Sequence, residues 1–315
     1  MAQPANSFST YDAIGIREDL SDVIYNVDPT ETPNLTAWAK VRATNTKHEW
    51  QTDSLAAASS TNAVIEGDDA TTDASTATVR LDNQCQISDK VARVTGTQEA
   101  VDKAGRDDEM AYQIVKRGKE LKRDMESSLT ANNAKVVGDD STARELAGLG
   151  SWIGTNDDFG ASGASPATLD GAAARTDGTQ RAFTETQLNN VFDLVWNAGG
   201  NPNRISLGSF NKRVFSGFTG VATKEQQAST MTIIAGADVY VSDFGTCVAV
   251  PNRFQRGRDA FVLDDDYWAV AFLRNIQQHD LAKTGDTERK QLIVEYTLES
   301  RNEKSSGGVF DLTTS

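Results

Sequence analysis

Histidine and cysteine are scarce in this chain: 315 residues contain only His48, His279, Cys85 and Cys247. There is no Cys-x-x-Cys pair and no cluster of ligand-type residues at finger spacing, which argues against a structural zinc site. No run of about 18 apolar residues is present to span a bilayer. Met1-Ala-Gln-Pro-Ala-Asn-Ser7 lacks the basic start and apolar stretch of a secretory signal. The expectation is a chain made and assembled in a cytoplasm, with both thiols reduced and the Asn34-Leu35-Thr36 sequon a chance match. Positive charge is also in deficit, with 31 basic against 45 acidic residues and a formal charge of −14. That balance opposes a protein whose task is to grip nucleic-acid phosphates, but not one that merely surrounds them.

What the chain does have is one long amphipathic segment. Between Asp107 and Asn133 apolar residues recur at Met110, Ile114, Leu121 and Met125, spacings of four, seven and four that keep one narrow stripe on a helix. A helix over 107–133 is roughly 40 Å long, more than a small core can cover. It is expected to act as a spine lying on a broad sheet or on another subunit.

The flanking segments divide the chain further. Residues 1–45 read as an arm: Gly15 to Tyr25 places Ile16, Leu20, Val23 and Ile24 on one side of a short helix, and Asp28-Pro-Thr-Glu-Thr-Pro33 then forces an extended path. Residues 46–95 read as a long β-hairpin, outgoing at Lys47 to Asp53 and returning at Thr76 to Asp82 and Gln84 to Val94. Its tip, Leu55 to Ser75, is too polar and small-residued to order itself alone. Residues 138–182, rich in Gly, Ala, Asp and Ser, are expected to be irregular and surface-lying.

A compact unit is expected from residue 184. Thr184-Glu-Thr-Gln187 is a capping box, Leu188, Val191, Phe192, Val195 and Trp196 form one face, and Gly199-Gly200 stops the helix. Strands are expected at Asn203–Leu207, Val239–Ser242, Cys247–Val250, Ala260–Leu263 and Trp268–Leu273, with a short helix from Ser209 to Phe218. Last comes Leu292–Leu298, where Leu292, Val294, Tyr296 and Leu298 alternate onto one face. The other face, Ile293, Glu295 and Thr297, predicts partial exposure or a subunit contact. There is no internal repeat.

Several phrases in this order resemble the SU10-like branch of phage major head proteins, which have the Hong Kong 97 type of shell fold: Thr30-Glu-Thr-Pro33, His48-Glu-Trp-Gln-Thr-Asp53, Ala104-Gly-Arg106, Glu120-Leu-Lys-Arg-Asp124, Glu145-Leu-Ala-Gly-Leu149, Leu281-Ala-Lys-Thr-Gly-Asp286 and Glu295-Tyr-Thr-Leu298. The resemblance implies an α+β capsid fold: an N-terminal arm (1–45), an extended loop (46–95), a peripheral domain with the spine helix (96–183), an α/β axial domain (184–285) and a return strand with the C-terminus (286–315). It implies a virion protein that self-assembles into hexamers and pentamers of an icosahedral shell around double-stranded DNA. It also implies a portal and, since the chain starts at its arm, a separate scaffolding protein. An encapsulin-like cargo shell would share the fold. The lysine and asparagine that crosslink the fold's type member have no match here.

Enzymatic and metal chemistry find little support. Ser209-Phe-Asn-Lys212, Ser242-Asp243 and Lys283-Thr-Gly285 parallel the motif order of serine β-lactamases, so a serine acyl hydrolase using Ser209 and Lys212 is the alternative of a different class. Yet 23 Ser and 13 Lys give about one Ser-x-x-Lys by chance, and Phe244 stands where an asparagine is needed. Lys283-Thr284 lacks the glycine loop of a P-loop. Asp264-Asp-Asp266 reads as a solvated turn rather than a cation site. His48 is expected to hydrogen-bond within the hairpin, and Trp50, Trp152 and Trp196 to pack. No residue is assigned a catalytic, cofactor-binding or metal-binding role.

Overall fold

The computed structural model describes residues 29–69, 75–103, 105, 107–218 and 239–315. The expected arm helix at Gly15 to Tyr25 lies outside them. In chain order the elements are α1 (Pro33–Ala37), β1 (Ala39–Arg42), β2 (Lys47–Thr52), β3 (Val79–Gln84), β4 (Gln86–Thr95), α2 (Gly96–Ala100), α3 (Glu109–Leu129), β5 (Asp157–Asp158), α4 (Glu185–Asn197), β6 (Arg204–Leu207), α5 (Ser209–Phe215), β7 (Val239–Ser242), β8 (Gly245–Pro251), β9 (Ala260–Leu263), β10 (Trp268–Asp280), β11 (Thr287–Ser300) and β12 (Gly307–Val309). They form a four-stranded sheet ordered β1-β10-β11-β4, a six-stranded sheet ordered β5-β12-β9-β6-β8-β7, and the ribbon β2-β3.

The long helix is shorter than its apolar pattern suggests. Asp108 caps it, accepting the Ala111 N–H at 2.8 Å, and it ends at Leu129, so its 21 residues span about 31 Å rather than 40 Å. Met110, Leu121, Met125 and Leu129 are buried along one stripe, with Ile114 partly covered. This stripe lies on β4 and β11 of the four-stranded sheet. From β11, Leu292, Val294, Tyr296 and Leu298 enter the same core, as their alternation predicts. On the opposite face of β11 the expected partial exposure holds for Ile293 alone. Thr297 is fully buried and Glu295 nearly so, the Glu295 carboxylate being met by Arg144 and Arg274 at 3.1 and 2.8 Å.

Residues 138–182 are irregular apart from β5 and a single 3₁₀ turn at Leu149–Ser151, and much of the segment is exposed as expected, but residues 146–153 do not lie on the surface. Leu146, Ala147, Leu149, Trp152 and Ile153 are fully buried beside Leu121, Met125 and Tyr296. Irregular backbone can be buried only if its polar groups find partners. Asparagine side chains supply them: Asn133 Nδ2 donates to Leu146 O at 2.6 Å, while Asn83 accepts the Ala147 N–H at 2.9 Å and donates to Ala147 O at 3.2 Å.

The second core lies between α4, α5 and the six-stranded sheet, and contains Leu188, Val191, Phe192, Val195, Ile205, Leu207, Phe215, Tyr240 and Val262. From the same sheet, Phe261 and Leu263 enter the first core, so the sheet separates the two. The capping box of α4 forms as expected, with Gln187 N to Thr184 Oγ1 at 3.4 Å and Thr184 N to Gln187 Oε1 at 3.0 Å. Gly199 follows in the left-handed region at φ +88°, which stops the helix. Trp196 leaves the packed face and is 56 % exposed, with its ring 5.4 Å from that of Phe244.

β7 and β9 have the expected bounds, whereas β10 runs seven residues beyond Leu273, pairing with β11 across irregularities between Phe272 and Gln277. β10 thus joins the four-stranded sheet with β11 and not the sheet of β6, β8 and β9. Cys85 and Cys247 are free and buried, and burial pushes their thiols up to about 11 and about 12.

Candidate assembly surfaces

The hairpin is anchored at its root and bare beyond it. β2 and β3 pair antiparallel from Lys47 opposite Gln84 to Thr52 opposite Val79. Trp50 inserts its ring 5.5 Å from that of Trp152 and donates Nε1–H to Ser300 O at 2.7 Å. His48 Nε2 meets Glu299 Oε2 at 2.9 Å, so its partner is on β11 rather than within the hairpin. Glu49 bridges Lys47 and Arg80 along the ribbon, and these two cations hold its carboxyl below the usual range. Past Thr52 every described residue of the tip, 53–69 and 75–78, is exposed. Leu55 is 99 %, Val64 84 % and Ile65 78 % exposed. Apolar side chains on a segment with no core of its own gain burial only from another surface.

A second node holds the end of the arm. Glu126, buried on α3, accepts N–H groups from Asn34 at 3.0 Å and Leu35 at 2.7 Å and the Asn252 side-chain amide at 2.7 Å. Thr32 provides no side-chain cap for α1, so the carboxylate of another helix does that work. Burial raises the Glu126 pKa, against these three donors and the nearby Arg204 guanidinium. Arg204 in turn donates to Pro33 O at 3.2 Å and to Asp265 at 2.5 Å, and Trp38 Nε1 donates to Asp265 at 3.0 Å.

A third node ties the C-terminal segment to the irregular region. Asp311, in the left-handed region at φ +61°, accepts N–H groups from Gly160 at 3.0 Å and Gly178 at 2.8 Å and pairs with Arg258 at 2.5 Å. Arg175 pairs with Asp157 at 2.7 Å over the Phe310 ring. Asp259, buried beside them, lies 3.6 Å from Arg256. Burial pushes its carboxyl up to about 6, against the opposing fields of Arg256 and Arg175. Apolar periodicity reveals neither Glu126 nor Asp311, since their partners lie far away in sequence.

The residues weighed for catalysis do not converge. Ser209 is the exposed first residue of α5, and the Lys212 ammonium lies 5.3 Å from the centre of the Phe215 ring. Ser242 donates Oγ–H to Gly245 O at 3.0 Å within the β7–β8 turn. Lys283 belongs to the β10–β11 turn on the other sheet, lining a small cleft with Val94, Thr95 and Met110. The acidic triplet forms the expected turn between two strands, but of its three carboxylates only Asp266 is exposed. Asp264 is buried and accepts from Asp266 N at 3.3 Å, and Asp265 is taken up by Arg204 and Trp38. Among the described residues no three His, Cys, Asp or Glu side chains are grouped to hold a metal ion, and no helix is long and apolar enough to cross a membrane.

The described residues therefore present anchored, outward-reaching segments, and the residues weighed for catalysis stay apart. Residues 3–313 match the family model described as SU10 major capsid protein. The major capsid protein of Escherichia phage Phieco32 is 27 % identical over 349 positions, covering 98 % of each sequence. Among solved structures, the chain superposes on the Cyanophage A-1(L) capsid asymmetric unit with a TM-score of 0.68 at 13 % identity, covering 98 % of this chain and 99 % of that one. The capsid of the native GTA particle gives 0.62 at 10 % identity, covering 96 % and 98 %. At such identities the likeness is one of fold, the Hong Kong 97-type capsid fold. The chain belongs to the SU10 major capsid protein family and is a phage major capsid protein, a component of the virion shell.

Proposed function

We propose that the chain closes an icosahedral shell as hexamers and pentamers, enclosing double-stranded DNA without specific binding and without catalysis. The observation that carries this reading is the hairpin tip, whose Leu55, Val64 and Ile65 have almost no cover within the chain. In a shell, neighbouring copies supply that cover, and interfaces of this obligate kind exceed roughly 2,000 Å². The four-stranded sheet with α3 is the peripheral part of the subunit, and the six-stranded sheet with α4 and α5 is the axial part. Charge supports a container: with −14 per copy, the wall repels DNA on average and leaves packing to an external motor at a portal. A separate scaffolding protein guides curvature. Electron microscopy of the purified chain tests the reading, which requires closed particles, or capsomers and tubes where the scaffold is absent.

A further inference from the structure

Where the C-terminal segment passes the loop between β8 and β9, four carboxylates and three guanidinium groups of the described residues gather. Asp157 comes from β5, Arg175 and Asp177 from the irregular segment, Arg256, Arg258 and Asp259 from the loop, and Asp311 from the residues after β12. Three of the carboxylates are answered. Arg175 meets Asp157 at 2.7 Å, Arg256 meets Asp177 at 2.6 Å, and Arg258 meets Asp311 at 2.5 Å and Asp177 at 3.2 Å. The adjoining pair of Arg181 with Asp158 is balanced and leaves the excess unchanged. Asp259 is the carboxylate left over. It is 1 % exposed and lies 3.6 Å from Arg256, and neither of its oxygens accepts a hydrogen bond from the described residues.

An ionised carboxylate buried without a donor is costly, so Asp259 keeps its proton beyond the ordinary carboxylate range. Burial pushes it up, against the fields of Arg256, Arg175 and Arg258 and with that of Asp177. Asp177 is the opposite case. Its side chain is 39 % exposed; partial burial raises its carboxyl, but the hydrogen bond and charge of Arg256 outweigh that and hold it below the usual range. Arg256 therefore stands between two carboxylates, bonded to the exposed one and 3.6 Å from the buried one. Loss of the Asp259 proton changes which of them needs the guanidinium more. Solvent can hydrate Asp177 but not Asp259, and an unpaired charge costs far more buried than exposed.

We propose that Arg256 is the moving part of a proton-operated clasp: while Asp259 is protonated it holds Asp177, and when Asp259 ionises it turns inward to that carboxylate. Asp177 is then left with Arg258, which already serves Asp311. What loosens is the stretch 175–181, which Arg256 helps fasten to the β8–β9 loop. Its amides report the change, because Thr176 donates to Ala164 O, Gly178 to Asp311, Thr179 to Ala161 O and Arg181 to Asp311 O. Both cores keep their packing, since none of these charged groups belongs to either. The clasp works within one subunit and does not depend on shell closure.

The experiment is hydrogen exchange read by mass spectrometry on unassembled full-length subunits, at about pH 5 and about pH 7.5, either side of the Asp259 transition. Labelling times are scaled for the intrinsic pH dependence of amide exchange. In the wild type, peptides covering 175–181 are expected to exchange about threefold faster or more at the higher pH, while peptides from α4 do not change. Asp259→Asn, neutral at both pH values, is expected to keep 175–181 slow throughout. Arg256→Gln removes the moving part and is expected to leave the stretch fast throughout. Equal wild-type protection at the two pH values, or a pH response that survives in Asp259→Asn, would overturn the clasp. So would a matching rise in α4, which would mean loosening of the whole subunit. Should Asp259→Asn fail to fold, the wild type against Arg256→Gln decides alone: a pH response in Arg256→Gln as large as that of the wild type contradicts the proposal.

Discussion

Leu35 donates its backbone N–H to Glu126 Oε2 at 2.7 Å across 91 residues of chain, joining the end of the arm to the long helix. The same carboxylate takes Asn34 N–H and Asn252 Nδ2–H, so Glu126→Ala leaves three buried donors without an acceptor. At about 1–3 kcal/mol for each orphaned group, with incomplete additivity, the loss is about 3 kcal/mol or more. Glu126→Gln keeps one acceptor oxygen and costs less. Urea unfolding of unassembled subunits is expected to rank wild type above Gln above Ala; an Ala variant as stable as wild type would mean that the arm is held elsewhere.

Leu121→Asp is expected to be far more damaging than Lys122→Ala. Leu121 is fully buried against the four-stranded sheet, whereas Lys122 is exposed one position further on. A buried unpaired carboxylate costs several kcal/mol, and a solvated lysine contributes within about half of one. Soluble yield and urea midpoint check the pair, and equal values would contradict the packing of α3.

These contrasts explain what the sequence makes legible. The α4 capping box, the bounds of β7 and β9, the alternation of β11 and the α3 stripe all follow from interactions a few residues apart, and each is found in the structure. The errors come from long-range satisfaction. Residues 146–153 look like surface chain because they are irregular, yet Asn83 and Asn133 complete their hydrogen bonds and let them be buried. His48 finds Glu299 and Asp265 finds Arg204, partners that no local spacing identifies. At the assembly surfaces, the polar composition of the hairpin tip was readable, while the carboxylate node at Glu126 was not.

The pH dependence of stability should carry a signature of Asp259. Its folded carboxyl is pushed up to about 6 from an ordinary 3.8. The folded state therefore holds this proton more tightly than the unfolded chain does, and stability falls as pH rises from about 4 to about 6, then levels. The contribution is at most about 3 kcal/mol. Asp259→Asn removes it, so the difference in unfolding free energy between variant and wild type should change across that window and be flat above about pH 7. A difference independent of pH would contradict a raised Asp259.

Deleting residues 59–75 should leave both cores folded and impair shells. Residues 59–69 are exposed throughout and contribute nothing to either cluster of buried side chains. Far-ultraviolet circular dichroism is expected to match wild type, while microscopy shows few closed particles. Normal shells would make the tip a passive loop, and global unfolding would place it in the core.

Self-assembly is the claim on which the rest depends, and multi-angle light scattering of the purified wild-type chain, with negative-stain microscopy of the same sample, measures it most directly. The expected result is mass far above that of one 34.0 kDa subunit, in closed particles, or in capsomers and tubes without a scaffold. A monodisperse monomer that persists across salt and protein concentration would contradict the account.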